Sequence, residues 1–169
     1  MSIKKMLFTL PVISLLALNV QAAENTNNKA ATPQATTQKA KEDPNLAAFN
    51  QNVRIQLIQR ANAVQNEQNV VVLTYEVSNV GKSKSKIKNV NWISAFTLND
   101  EVFFLQEVQT QLDQAISAKK KENITVILPF DKLPENVKAV FGKLETPVGH
   151  LTVAKQIDFT NGKKIIVKQ

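Results

Sequence analysis

The chain has 169 residues and a formal net charge of +7, a length that suits one folded domain of the commonest size and is too short for two. It contains no cysteine and one histidine, which excludes disulfides, thiolate nucleophiles, zinc–thiolate sites and two-histidine metal sites. Glycine occurs four times, too sparsely for a phosphate-cradling loop, and no G-x-S-x-G motif is present. The composition therefore predicts no cofactor and a non-enzymatic protein.

The amino-terminal 22 residues have the pattern of an export signal. Lys4 and Lys5 form a basic start, residues 7–18 are mostly apolar, and small residues lead up to Ala22. The sequence therefore predicts a cleaved signal peptide at 1–22 and a periplasmic or secreted protein of a diderm bacterium. Without a cysteine, no lipoprotein anchor can form. The alternative is an uncleaved amphipathic anchor.

Residues 23–43 contain no Val, Ile, Leu, Phe, Tyr or Trp. Such a segment has too few apolar side chains to offset the entropy lost on ordering. The sequence predicts a disordered linker at 23–43, followed by one folded domain at 44–169. Loss of the signal would lower the net charge by two, and the remaining excess of positive charge would lie on the folded domain.

From Asn52 onward, apolar residues recur mainly at every second position, which is typical of half-buried strands. Trp92 is the expected core anchor, and Asn99-Asp100 and Asn161-Gly162 are expected turns. Strands are predicted around residues 53–57, 71–77, 87–98, 102–105, 124–128, 157–159 and 165–167. Their short spacing predicts an all-β, antiparallel two-sheet sandwich rather than a parallel α/β fold.

Two segments are ambiguous. Residues 46–49 fit a short helical turn. Residues 134–141 fit either a helix that starts at Pro134 or a strand with alternate residues inward. The strand is favoured because β-branched residues and the following Gly142 weaken a helix.

The middle half of the chain resembles bacterial extracytoplasmic immunoglobulin-like domains with an F-x-L-Y-D signature. The resemblance lies in Val77–Asn79 before the Gly81–Ser83 turn, and in Phe96–Asp100. The lysine-rich turn Ala118–Lys121 and the segment Leu128–Phe130 are similar to the family's lysine-rich turn before the sixth strand and its Phe-Pro segment. The resemblance implies an immunoglobulin-like β-sandwich and no particular activity.

Lysines form the candidate binding residues. Four of them recur at every second position, and a strand would place their ammonium groups on one face about 6.7 Å apart. A second basic turn follows further along the chain. The candidate residues are Lys82, Lys84, Lys86, Lys88, Lys119, Lys120 and Lys121. The alternative interpretation is that these lysines serve solubility and protect a sheet edge from pairing.

The leading hypothesis is an interaction module that binds an envelope protein through loops or a basic strand edge. The alternative is attachment to an anionic lipid or glycolipid surface. Nucleic acid is not an expected partner, because the only arginines are Arg54 and Arg60 and no exposed aromatic residue is interleaved with the lysines. A third hypothesis is a hydrolase that uses carboxylates such as Asp100 in a loop cleft. His150, beside Gly149, is expected in a solvated loop.

Overall fold

The computed structural model of the protein describes residues 43–82 and 84–168. The predicted signal peptide and all of the predicted linker except Asp43 lie outside these residues. Among the residues described, no helix is long and apolar enough to cross a membrane. The described elements are, in chain order, α1 (Pro44–Asn52), β1 (Val53–Gln65), β2 (Gln68–Asn79), β3 (Ile87–Leu98), β4 (Glu101–Gln109), β5 (Lys121–Pro129), one turn of 3-10 helix (Phe130–Lys132), α2 (Glu135–Phe141), β6 (Gly149–Phe159) and β7 (Lys164–Ile166).

The strands form two antiparallel sheets. The first has the order β1-β2-β5 and the second the order β4-β3-β6-β7. Every ladder between these strands is antiparallel. The expected mostly β architecture with two antiparallel sheets is therefore confirmed.

Alternation along β2 and β3 places large apolar side chains between the two sheets. In β2, Val71, Leu73, Tyr75 and Val77 are all buried. Trp92 of β3 is fully buried, and its ring meets that of Tyr75 edge-on with centroids 5.3 Å apart. Because these two rings belong to different sheets, the contact shows that the sheets pack face to face and confirms Trp92 as a core residue.

The first strand is longer than the sequence suggests. A strand is predicted over 53–57, whereas β1 continues to Gln65. The pairing register shifts between Leu57 and Gln59, which leaves Ile58 as an extra residue with half of its surface exposed. A bulge of this kind inverts the alternation beyond it, so the period-two pattern ends although the strand does not.

Residues 46–49 belong to α1, so the expected helical turn is confirmed. Asp43 caps this helix, because its Oδ1 accepts a hydrogen bond from the Asn45 backbone N–H at 2.9 Å, and Pro44 occupies the first position. The other carboxylate oxygen of Asp43 accepts from the backbone N–H of Lys168 at 3.1 Å. Asp43, placed by the sequence in the linker, is thus bonded to both ends of the described domain.

Residues 135–141 form the helix α2, so the favoured strand at 134–141 is wrong. In the helix, Val137 and Phe141 are four residues apart and both are fully buried, whereas Ala139, which a strand would turn inward, is exposed. A spacing of four places two side chains on one helical face. Arg60 of β1 also holds the end of α2: its guanidinium lies 5.5 Å from the Phe141 ring centroid and donates to the carbonyl of Val140 at 3.3 Å.

Candidate functional site

Three turns rich in lysine meet at one end of the sandwich. They are the loop between β2 and β3, the segment before β5, and the turn between β6 and β7. The Thr160 backbone N–H donates to the Lys86 carbonyl at 2.9 Å, and the Asn161 side-chain amide donates to the Ser85 hydroxyl at 2.9 Å. We call this surface the basic end. Its exposed lysines are Lys82, Lys84, Lys86, Lys88, Lys119, Lys120, Lys121, Lys163 and Lys164.

Asn79, the last residue of β2, joins two of these turns from the inside. Its side chain is almost completely buried, and its amide donates to the Ile116 carbonyl at 2.9 Å while its Oδ1 accepts from the Gly81 N–H at 3.1 Å. Its backbone N–H donates to the Lys120 carbonyl, and its carbonyl accepts from the Lys119 N–H. A buried, fully bonded amide of this kind fixes the positions of the chains around it.

The four alternating lysines do not lie on one strand. β3 begins at Ile87, so Lys82, Lys84 and Lys86 belong to the preceding loop and only Lys88 lies in the strand. The expected row along one strand face is therefore wrong. β3 itself is a central strand, with β4 on one side and β6 on the other, so Lys88 does not belong to an edge strand of its sheet. The loop brings these lysines instead towards the second basic turn.

Few carboxylates balance the charge of the basic end. Lys121 pairs with Glu76 at 2.5 Å, and Lys164 lies 3.6 Å from Asp158. The other lysines of this end have no carboxylate within 4 Å among the described residues. The surface therefore carries a net positive potential. Lys163 and Lys164 were not among the expected site residues, although they directly follow the predicted Asn161-Gly162 turn.

Asp158 remains ionised beside this surface. Burial opposes its ionisation, but hydrogen bonds from the Gln156 and Asn89 amides and the nearby Lys164 ammonium group together hold its pKa below the ordinary value. Its negative charge offsets that of Lys164 alone. The turn between β6 and β7 thus contributes the ammonium group of Lys163, which has no carboxylate partner in the part of the chain that the structure describes.

A small cleft opens at the basic end, with a volume of about 320 Å³. It is lined by the end of β2, residues 78–80, and by the turn at residues 119–121. Lys119 has a φ of 60°, so its backbone lies in the left-handed region, where the bond from its N–H to the Asn79 carbonyl holds it. The cleft wall is therefore shaped by the same contacts that join the turns.

His150 lies on β6 and not in a solvated loop as expected. Its ring packs between those of Tyr75 and Phe96, with centroids 5.6 Å and 5.5 Å away. Its Nε2 atom is buried with no hydrogen-bond partner in the described part of the chain. Desolvation by burial lowers the pKa of this imidazole. His150 is a half-buried side chain and is not part of the basic end.

The carboxylates do not gather into a cleft. Asp100 is exposed in the turn between β3 and β4 with a φ of 65°, and Glu107 pairs with Lys155 at 2.7 Å. The hydrogen bond from Lys155 holds the pKa of Glu107 below its ordinary value. Within residues 43–82 and 84–168, no group of three or more His, Asp or Glu side chains could hold a metal ion.

Comparison of the chain with protein-family models, with curated proteins and with solved structures found no match.

Proposed function

We propose that this protein is an exported, non-enzymatic interaction module that binds an acidic protein partner of the cell envelope through the basic end. The observation that carries the proposal is the convergence of three lysine-bearing turns on one surface. These turns are separate in the sequence, and interior contacts of Asn79 hold two of them together. A rigid positive surface of this kind suits recognition of a negatively charged partner.

The topology supports an immunoglobulin-like sandwich as the scaffold of the module. In such folds the first, second and fifth strands form one sheet, and the third, sixth and seventh strands belong to the other. The same division is found here, with β4 added beside β3. A buried Trp on the third strand, here Trp92, is a further feature that such domains share. The basic end then corresponds to loops at one end of the sandwich.

Electrostatics supports a partner bound at the rim of these loops. All nine lysines of the basic end are exposed, so their charges steer association from a distance and are screened by salt. Long lysine side chains also adapt to an acidic surface of variable shape. We therefore expect binding that weakens steeply as ionic strength rises.

The test compares two variants with the same loss of charge. The first changes three lysines of the basic end outside the cleft: Lys84→Gln, Lys86→Gln and Lys163→Gln. The control changes three lysines at the α2 end: Lys132→Gln, Lys138→Gln and Lys143→Gln. Each mature protein is immobilised and exposed to an envelope extract at low and high salt, and the proteins retained are identified and titrated in purified form.

We expect wild type and the α2-end variant to retain the same acidic protein at low salt, and the basic-end variant to lose it. Equal retention by the two triple variants would show that position does not matter and would exclude the basic end as the binding surface. Retention by wild type that is unchanged at high salt would also contradict the proposal.

A second candidate is attachment to an anionic lipid or glycolipid surface. The exposure of all nine lysines at one end favours it, because each lysine near an anionic membrane contributes about 1 kcal/mol. Co-sedimentation with phosphatidylglycerol vesicles, against phosphatidylcholine vesicles, tests this candidate. We expect the basic-end variant to lose the difference between the two vesicles, and an affinity insensitive to salt would exclude lipid attachment.

A further inference from the structure

We infer that the cleft between residues 78–80 and 119–121 binds the phosphate group of a phosphomonoester ligand. The inference rests on the proposed function and deepens it, since it names the anionic group that the basic end recognises. The carriers of such a group are a free phosphorylated compound and a lipid head group, and the experiment below separates them.

The strand register builds a polar row beside the cleft that the sequence does not reveal. Ser78 of β2 lies directly opposite Arg54 of β1 and directly opposite Lys121 of β5. Residues that face each other across an antiparallel ladder project from the same side of the sheet. A guanidinium, a hydroxyl and an ammonium group therefore stand side by side on the outer face of the first sheet, at its basic end.

The cleft adds two ammonium groups to this row. Lys119 and Lys120 line it together with Ser78 and Lys121. Arg54, Lys119 and Lys120 are exposed and form no salt bridge with any described carboxylate, whereas Lys121 shares its charge with Glu76. Lys119 and Lys120 thus line the cleft with Ser78, and Arg54 faces Ser78 from the neighbouring strand, all three without a carboxylate partner among the described residues. The volume of about 320 Å³ is large enough to hold a phosphate group.

Hydrogen bonds already hold the backbone around the cleft in the protein without ligand. The Asn79 N–H donates to the Lys120 carbonyl at 2.9 Å, and the Lys119 N–H donates to the Asn79 carbonyl at 2.8 Å. Asn79 itself is almost fully buried. Because the backbone on both sides is already bonded, binding need order only the side chains, which lowers its entropic cost.

The donor set matches a phosphate better than a carboxylate. A phosphomonoester carries roughly 1.5 to 2 negative charges and three acceptor oxygens at neutral pH. Arginine recognises phosphate through parallel N–H bonds, lysine binds it as a point charge, and a hydroxyl supplies a further donor. A carboxylate, with one charge and two oxygens, would leave part of this set unused.

The experiment titrates the mature protein with inorganic phosphate and follows backbone amide NMR signals, with chloride at the same ionic strength as the reference. We expect saturable shifts confined to residues 54, 78–80 and 119–121. A second arm measures binding to phosphatidylcholine vesicles with and without phosphatidic acid. Saturation by inorganic phosphate without binding to phosphatidic acid vesicles assigns the site to free phosphorylated compounds. Binding to phosphatidic acid vesicles alone, lost in the cleft variant below, assigns it to a lipid head group. No saturable binding in either arm overturns the inference.

The cleft variant is Arg54→Gln with Lys119→Gln, and its charge-matched control, away from the basic end, is Lys132→Gln with Lys143→Gln. We expect the cleft variant to weaken phosphate binding by about tenfold or more, since hydrogen bonds to charged groups are lost, and the control to leave it nearly unchanged. Ser78→Ala, which keeps every charge, should weaken binding to a smaller extent. Equal effects of the two charge variants would overturn the inference.

The outcomes also separate this inference from the proposed function. An acidic partner retained by the cleft variant but lost in the Lys84, Lys86 and Lys163 variant, together with no saturable phosphate binding by wild type, would support the module while overturning the phosphate site. Saturable phosphate binding without any retained acidic protein would support the cleft and contradict the protein partner.

Discussion

His150 carries a half-buried imidazole that contacts two aromatic rings. Tyr75 from one sheet and Phe96 from the other lie on either side of it, and its Nε2 has no partner within the described residues. Burial raises the pKa of the Tyr75 hydroxyl, so this neighbour stays neutral and cannot compensate a positive charge. A protonated imidazole is therefore disfavoured in the folded state.

This placement predicts a loss of stability in weak acid. Desolvation lowers the folded-state pKa of His150, while in the unfolded chain the imidazole titrates near its ordinary value of about 6.5. The unfolded state then binds more protons as pH falls. The stabilising contribution is complete above about pH 6.5 and is lost as pH falls through the folded pKa. Urea unfolding across this range measures the effect.

His150→Phe is the control for that prediction, since it keeps a ring between Tyr75 and Phe96 and cannot be protonated. His150 is the only histidine, so we expect the variant to have a nearly constant free energy of unfolding between about pH 7.5 and 5.5. An equally steep decline in wild type and variant would contradict the assignment of this pH dependence to His150.

At the scale of elements, α2 shows how tertiary contacts complete a short helix. Seven residues are too few for a helix that is stable by itself. The Arg60 guanidinium, on a neighbouring strand, donates to four carbonyls at and beyond the helix end. These carbonyls belong to Val140, Lys143, Leu144 and Thr146. Arg60 thus bonds one carbonyl of the last helical turn and three of the segment that follows it.

We expect Arg60→Met to lower the free energy of unfolding by about 1–3 kcal/mol, because several carbonyls lose a charged donor. Burial lowers the pKa of Arg60, but the guanidinium stays cationic at neutral pH. Arg54→Met is the matched control on the same strand, and it should change stability by less than about 0.5 kcal/mol. Chemical denaturation of both variants measures the difference, and similar losses would refute a clamping role for Arg60.

At the scale of the whole molecule, one core joins the two sheets. Trp92 contacts the Tyr75 ring across the interface, and its Nε1 donates to the Ser94 hydroxyl at 2.9 Å. The core cluster takes side chains from both sheets and from both α-helices, including Phe49 and Phe141. Such a shared core makes cooperative unfolding of the described domain the expected behaviour.

We therefore expect tryptophan fluorescence and far-UV circular dichroism to report one coincident unfolding transition. Trp92→Phe should lower the free energy of unfolding by about 1–3 kcal/mol while keeping one transition, since it removes ring volume and leaves the Ser94 hydroxyl without its donor. Separate transitions from the two probes in wild type would contradict a single core.

Much of the fold could be predicted from local patterns. The alternation of Val71, Leu73, Tyr75 and Val77 predicts an inward strand face, and these residues are buried. The period-two pattern did not predict the structure where contacts between distant segments determine it. The bulge at Ile58 hides the second half of β1, and the contacts of Arg60 stabilise α2 in a segment whose composition favours a strand. The position of His150 was also missed, because a Gly-His pair looks like a loop.

The candidate site could be predicted only in part. The sequence shows two charge clusters, Lys82 with Lys84 and Lys119–Lys121. It does not show that these clusters lie at the same end of the fold. Arg54 and Ser78 show no local signal at all, since only the strand register places them side by side. A contact between residues far apart in the chain depends on strand order, which local pattern does not encode.

The amino-acid sequence by itself determined which segments bury alternate side chains, because strand periodicity is a local property of the backbone. It also determined that thiol chemistry is excluded and that lysines dominate the polar surface. Only the tertiary structure decided that three lysine-bearing turns share one end, that Asn79 joins two of them, and that the His150 ring packs against Tyr75 of the other sheet. These features arise from long-range pairing, where hydrogen bonds and burial act between residues that the sequence holds far apart.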